Sequence, residues 1–277
     1  YSISNKKLFF EKLEKYFFLA GSYYKPEDLI GKMEADLRID FKETFQAMVK
    51  NEMIVAVTNI PVETAQKTTY FIFDVNGKSK TENLLDSMLY NYALRKNKML
   101  EDFKSVYSLN DKKEFTIIEF PFPSFPGIWL GKPFNTVQAK YAVFYKDFLV
   151  FSNTENGLQN YLFNMEEGNK LAADNRFQRS KSNTGSKSNI SSFINVGRCM
   201  NLTNELLSAD LVKKLEKKKD ILRRLHAVNW QVGGGKEFYT NEISMVFDDG
   251  KPEEEESSEV ASAPGTVQEM GNSQMAW

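Results

Sequence analysis

The chain has 277 residues, 42% of them hydrophobic, which is enough for a sizeable core and too much for a disordered protein. Its 36 basic and 37 acidic residues give a net charge of -1, so we expect no nucleic-acid partner. One histidine, His226, and one cysteine, Cys199, cannot form a zinc site, a His-dependent catalytic centre or an internal disulfide. We therefore predict no metal and no cofactor, and assign no catalytic residue.

The first third of the chain changes from helical to strand patterning. Apolar residues recur at helical spacing over 5–20, and Pro26 suits the first turn of a short helix. Phe41 to Val49 forms another apolar helical face. Short β-branched runs then predict strands at 53–58 and 69–75, and a helix opened by Thr81 follows.

The middle of the chain favours strands. The predicted segments are a strand at 115–120, a proline-stiffened loop or edge at 121–127, a resumed strand at 128–130, and a hairpin of 141–145 with 148–152. A helix follows from Thr154. This strand-pair-and-helix order resembles the block that ends in the Thr81 helix. A duplicated strand-strand-helix unit would explain the likeness, and so would ordinary N-capping by threonine.

The last third begins with a polar stretch. The predictions are a surface loop at 174–190, a strand at 190–196, helical structure from 202–207, a basic helix at 211–225, and a final hairpin of 227–232 with 238–247. We expect His226 to be a cation near the end of that helix and Cys199 to be a small buried residue.

These elements predict an α+β fold with antiparallel sheet layers and packed helices. We assign residues 1–250 to one domain, with 1–110 and 111–250 as candidate sub-units. Residues 251–277 have the acidic, Ser- and Pro-containing composition of a linker or tail. Because Trp277 is an aromatic residue after a linker, we expect a further domain beyond it. Tyr1 is not an initiator Met, which indicates an excised piece or a mature product.

Three features are candidate sites, each with a simpler alternative. An aromatic cluster next to three prolines makes Phe122, Phe125 and Trp129 the candidate binding residues if they are exposed, and ordinary core if they are buried. The basic helix at 211–224 suits an anionic partner, or is a core helix with a solvated face. The sequence at 233–236 departs from a phosphate-binding loop and suits a hairpin turn.

One stretch resembles a known group of proteins. Phe148 to Asn153, a helix, Leu171 to Phe177, and Ile190 to Asn195 follow the order strand, helix, Leu-Ala-x-Asn-x-x-Phe, strand ending in Asn. This order resembles the bacterial domain-of-unknown-function 3352 proteins and their Bacteroidetes relatives, and Asp174-Asn175-Arg176-Phe177 fits it imperfectly. The likeness covers most of residues 40–248.

The resemblance implies an extracytoplasmic protein, often lipid-anchored, and implies no catalytic residues. The expected function is a non-catalytic structural or interaction module of a bacterial cell-envelope protein. Its partner would be another envelope protein or a following domain of the same chain, with a membrane reached only through an upstream anchor outside this chain. The alternative is a glycan hydrolase with two catalytic carboxylates, because such a pair has no local sequence signature.

Overall fold

A computed structural model describes residues 6–19, 27–59, 67–131, 134–185, 188–199, 209–234 and 239–247. The helices are α1 (Lys6–Leu19), α2 (Glu27–Leu37), α3 (Phe41–Met48), α4 (Lys78–Lys96), α5 (Phe125–Leu130), α6 (Glu155–Glu166), α7 (Asn175–Ser182), α8 (Val196–Cys199), α9 (Ala209–Glu216) and α10 (Lys219–Arg224). The strands are β1 (Val49–Asn59), β2 (Lys67–Val75), β3 (Lys104–Asn110), β4 (Lys113–Glu119), β5 (Tyr141–Tyr145), β6 (Phe148–Ser152), β7 (Ile190–Asn195), β8 (Leu225–Gly234) and β9 (Tyr239–Phe247).

The strands form two antiparallel sheets, which confirms the predicted α+β class. The larger sheet has six strands in the order β1-β2-β6-β5-β4-β3. The smaller has three strands in the order β7-β8-β9. The predicted hairpin of β5 and β6 is confirmed, and Lys146 in its turn takes a positive φ of 52°.

The six-stranded sheet is buried on both faces because successive strand side chains point to opposite sides. On one face, Phe71 and Phe73 of β2 pack with α4 in an aromatic-rich core. On the other, Tyr70 and Ile72 of the same strand pack with Leu158 and other residues of α6. Strands buried on both faces read as continuous apolar runs, as β2 does.

This arrangement bears on the suggested duplication. The β1-β2 hairpin is followed by α4 on one face of the sheet, and the β5-β6 hairpin is followed by α6 on the other. The sheet order is β1-β2-β6-β5, and the two helices lie on opposite faces of it, so the two strand-strand-helix units have opposite handedness. No rotation therefore superposes one unit on the other. The simpler alternative, N-capping by threonine at both strand-to-helix junctions, also fits only one of the two. Thr154 caps α6, whereas Gly77 precedes α4 and Thr81 lies inside it.

Several predicted elements differ from the structure. Residues 128–130 belong to helix α5, because Pro126 sits in its first turn instead of breaking a strand. Helix α7 forms within the predicted polar loop at 174–190, where Asp174 Oδ1 accepts the backbone N–H of Phe177. Lys217 and Lys218 form a turn that divides the predicted basic helix into α9 and α10. His226 follows the last residue of α10 by two positions, as the prediction of a place near the helix end requires, and it belongs to strand β8.

The candidate sub-units do not match the sheets. A boundary between 110 and 111 falls in the hairpin of β3 with β4, so it divides the six-stranded sheet. Strand β3 was missed because its side chains are mostly polar or exposed. The predictions for 202–207 and 251–277 fall outside the described residues. Within the described ranges, no helix has the length and apolarity needed to cross a membrane.

Two tyrosines in the core between the six-stranded sheet and α6 predict that the protein loses stability at alkaline pH. Burial raises the pKa of Tyr70 and of Tyr161 from 10.0 to about 12. A raised folded-state pKa adds stability below the unfolded-state value, and this stability is lost as pH rises from about 10 through about 12. We therefore expect the urea midpoint to fall between pH 9.5 and 11.5. The midpoint of Tyr161→Phe should fall less over that interval, and an equal fall in both proteins would contradict the assignment.

Candidate functional site

The predicted aromatic surface is not exposed. Phe125 is 0% and Trp129 is 5% exposed, and Phe122 is partly buried against the same core. The Phe125 ring lies 4.8 Å from that of Phe45 and 5.1 Å from that of Phe151, measured between centroids. The prediction that these aromatics form an exposed binding surface is therefore wrong, and the alternative that they belong to the core is confirmed. The physical reason is that α5 turns Phe125 and Trp129 into the space between the sheet and α3.

The three-stranded sheet holds a different surface. On β8, Ala227, Asn229 and Gln231 are buried, while Trp230 between them is exposed. Since alternate residues of a strand point to opposite faces, the buried set and Trp230 define an inner and an outer face. The apolar side chains of β8 thus lie mostly on the face where Trp230 is exposed, which no described helix covers.

The outer face is continuous across all three strands. Trp230 pairs with Ser192 of β7 on one side and with Ile243 of β9 on the other. Val228 likewise pairs with Ile194 and Met245. The exposed fractions are Ile194 41%, Trp230 40%, Ile243 61% and Met245 52%. We call this set, together with Ile190, Val228 and Val232, the outer apolar face.

The inner face is polar and is covered by α7. The Asn229 Nδ2 group donates to Thr184 Oγ1 at 3.4 Å, and the Gly185 N–H donates to Glu242 Oε2 at 2.7 Å. One aromatic contact accompanies these bonds, with the Phe177 and Phe193 ring centroids 5.1 Å apart. The sheet therefore buries its polar side under a polar helix and leaves its apolar side outward.

The inner face also contains buried acceptors without partners. Asn229 Oδ1, Gln231 Oε1 and Ser244 Oγ are buried, and none of them has a hydrogen-bond partner among the residues that the structure describes. Asn229 and Ser244 lie directly opposite each other on β8 and β9. Because an unsatisfied buried polar group costs about 1–3 kcal/mol, this side of the sheet contributes less stability than an apolar interface would.

Two buried serines test this account. Ser244→Ala should raise the free energy of unfolding by about 1 kcal/mol, because it removes a hydroxyl without a partner. Ser180→Ala should lower it by about 1 kcal/mol, because Ser180 Oγ donates to the Phe177 carbonyl at 2.9 Å. Urea unfolding of the two variants measures both. A loss in Ser244→Ala equal to that in Ser180→Ala would show that the Ser244 hydroxyl is hydrogen-bonded.

Strand β9 adds to the outer apolar face a sheet edge with which no described strand pairs. It forms one side of the three-stranded sheet and has nine residues, Tyr239 to Phe247. Natural edge strands are usually guarded against pairing by lysine, by proline or by a bulge away from the neighbouring chain. The sequence of β9 contains neither lysine nor proline, and Glu242 is its one charged residue. This edge can accept hydrogen bonds from an added strand.

Two acidic side chains, Asp36 and Glu166, are unsuited to the general-acid role that a glycan hydrolase needs. Asp36, which is buried, pairs with Arg95 at 3.2 Å between Oδ1 and Nη1. Hydrogen bonding to Lys113 lowers the pKa of Glu166, whereas a general acid needs a raised pKa. Among the described residues, no cluster of three or more His, Cys, Asp or Glu is suited to a metal ion. Cys199 is half-buried, and burial raises the pKa of its thiol.

Comparison with family models, with curated proteins and with solved structures finds no match to this chain. The resemblance to domain-of-unknown-function 3352 proteins therefore stays a prediction.

Proposed function

We propose that the chain is a non-catalytic interaction module of a bacterial cell-envelope protein, and that it binds a partner protein through the outer apolar face. The observation that carries this proposal is the orientation of the three-stranded sheet, with Trp230, Ile243 and Met245 outward and three unpartnered polar groups inward. This arrangement leaves apolar area in water and buries polar groups, which lowers stability unless a partner covers the exposed side when the protein acts.

The size of the face indicates the kind of partner. Three strands about 4.8 Å apart, each contributing about six residues of about 3.3 Å, give a face of roughly 15 by 20 Å. A standard interface buries about 800 Å² per partner. Stacking this face on a second copy would fall well short of that area. The face alone is therefore too small, and we expect a partner protein that contacts the face together with the β9 edge.

The extracytoplasmic location and the envelope partner rest on the resemblance. A following domain of the same chain is the competing occupant of the face, and cross-linking distinguishes it from a separate protein by the mass of the adduct. In the hydrolase alternative, neither Asp36 nor Glu166 would be the general acid, since Asp36 is paired with Arg95 and the pKa of Glu166 is lowered.

Site-specific photo-cross-linking in the native host tests the proposal. A photoreactive residue replaces Ile243, and a matched control replaces Val106 on edge strand β3, where the side chain is 66% exposed. We expect an intermolecular adduct from position 243 and none from position 106. The cross-linked protein is then purified, and Ile243→Ser should weaken its binding at least about tenfold while Val106→Ser leaves it unchanged. Equal behaviour of the two positions would overturn the proposal.

A further inference from the structure

Helices α9 and α10 carry an exposed basic patch next to the three-stranded sheet. Residues 209–224 include seven basic and three acidic residues, a net charge of +4. Lys213, Lys214, Lys217 and Lys218 are exposed. None of these four lysines forms an ion pair with a carboxylate of the described residues. We call these four side chains the basic patch. The positive charge of the basic patch is therefore available to bind an anionic group from outside the described residues.

An acidic segment follows strand β9 in the sequence, and β9 ends near this patch. Leu225, the residue directly after α10, pairs with Phe247 at the end of β9. The chain therefore leaves β9 at the same end of the sheet at which α10 enters it. Residues 248–256 then contain six acidic residues and one lysine, a net charge of -5. Glu253 to Glu256 form the densest part of that charge.

The chain is long enough to join the two. Glu253 lies six positions after Phe247, and each extended step spans at most about 3.6 Å, so Glu253 can lie up to roughly 20 Å from the end of β9. Helices of six and eight residues are about 9 and 12 Å long. The lysines of the patch therefore lie within reach. A tether of this length gives an effective concentration in the millimolar range.

We propose that Glu253 to Glu256 bind the basic patch of the same chain and shield it from anionic lipid headgroups. Each exposed ion pair is weak by itself, so the contact depends on the tether and on several pairs acting together. It is also sensitive to salt, because exposed charges are screened beyond about 8–10 Å at physiological ionic strength. The contact is therefore reversible, and a denser anionic surface can displace the acidic segment. This inference is independent of the outer apolar face.

Zero-length carbodiimide cross-linking of the full chain tests the contact. We expect cross-links between Glu253–Glu256 and the lysines of the basic patch, in monomers, at 20 mM salt. These cross-links should be lost at 0.5 M salt, where the Debye length falls to about 4 Å. Cross-links that join the acidic segment to other lysines instead, or that occur only between molecules, would overturn the proposal.

Vesicle binding tests the shielding. One variant replaces Glu253 to Glu256 by glutamine. A matched control makes the same charge change at four exposed glutamates elsewhere, Glu11, Glu43, Glu52 and Glu101. On phosphatidylglycerol vesicles at low salt, we expect the first variant to bind at least tenfold more tightly than the control. Adding Lys→Gln changes at all four patch lysines should abolish the gain. Equal binding of variant and control would show that net charge, and not local shielding, sets the affinity.

Discussion

Replacing Phe125 by alanine is expected to lower the free energy of unfolding by about 3–5 kcal/mol, the usual cost of removing a fully buried phenylalanine ring. Phe125 is 0% exposed, and its ring contacts aromatic rings from α3, β2 and β6 as well as Phe120. The side chains around it come from different elements and cannot all move in to fill the space. Urea unfolding measures the loss.

Phe122 is the matched control for Phe125. It belongs to the same aromatic cluster, but it is only partly buried and packs at the margin of the core. We expect Phe122→Ala to lower the free energy of unfolding by less than half as much as Phe125→Ala does, because Phe122 buries less apolar area on folding. If the two variants lost equal stability, or if Phe125→Ala had the same free energy of unfolding as the wild type, the assignment of Phe125 to the core would be wrong.

Gly157→Ala should lower the free energy of unfolding by about 1–3 kcal/mol, because the added methyl group overpacks the first turn of α6. A Cβ atom there would lie 2.5 Å from Ser152 Oγ, 2.7 Å from Thr68 Cγ2 and 2.9 Å from Thr154 Oγ1. The backbone cannot easily withdraw. The Gly157 N–H donates to Thr154 Oγ1, and the Gly157 carbonyl accepts the Tyr70 hydroxyl at 2.9 Å.

Gly31 in α2 provides the opposite result. A Cβ at Gly31 would meet no atom within 4 Å, and the residue is exposed on the helix. Because alanine is favoured over glycine in a helix interior by about 1 kcal/mol, Gly31→Ala should raise the free energy of unfolding by up to that amount. Thermal or urea unfolding of both variants checks the pair. A gain in Gly157→Ala would show that α6 stands further from the sheet than the structure places it.

Local patterns in the sequence predict much of the fold. Strong apolar runs locate β2, β5 and β6, and helical spacing locates α1, α3 and α4. Elements whose residues are polar or interrupted by proline were missed. Strand β3 is recognised only through its pairing with β4, and α5 only because Pro126 occupies a first turn. Neither of these is visible from local periodicity alone.

The candidate site illustrates a different limit. The alternation of Val228, Trp230 and Val232 in β8, and of Ile243, Met245 and Phe247 in β9, correctly predicts strands. Periodicity alone assigns such residues to the core, because it shows that one face is apolar and cannot show whether another element covers it. Helix α7 and the residues that follow it cover the opposite face, where Thr184 and Gly185 hydrogen-bond to β8 and β9. The exposed surface was instead expected at Phe125 and Trp129, where the chain folds inward.

Hydrogen exchange tests the central claim, that the outer apolar face and the β9 edge bind a partner protein. Amide exchange is measured for the full chain alone and with the protein that cross-links at position 243. We predict slower exchange in β9 and β8, which hold Ile243 and Trp230, and unchanged exchange in the six-stranded sheet. Slower exchange confined to the six-stranded sheet or to α1, with β9 unchanged, would contradict the account.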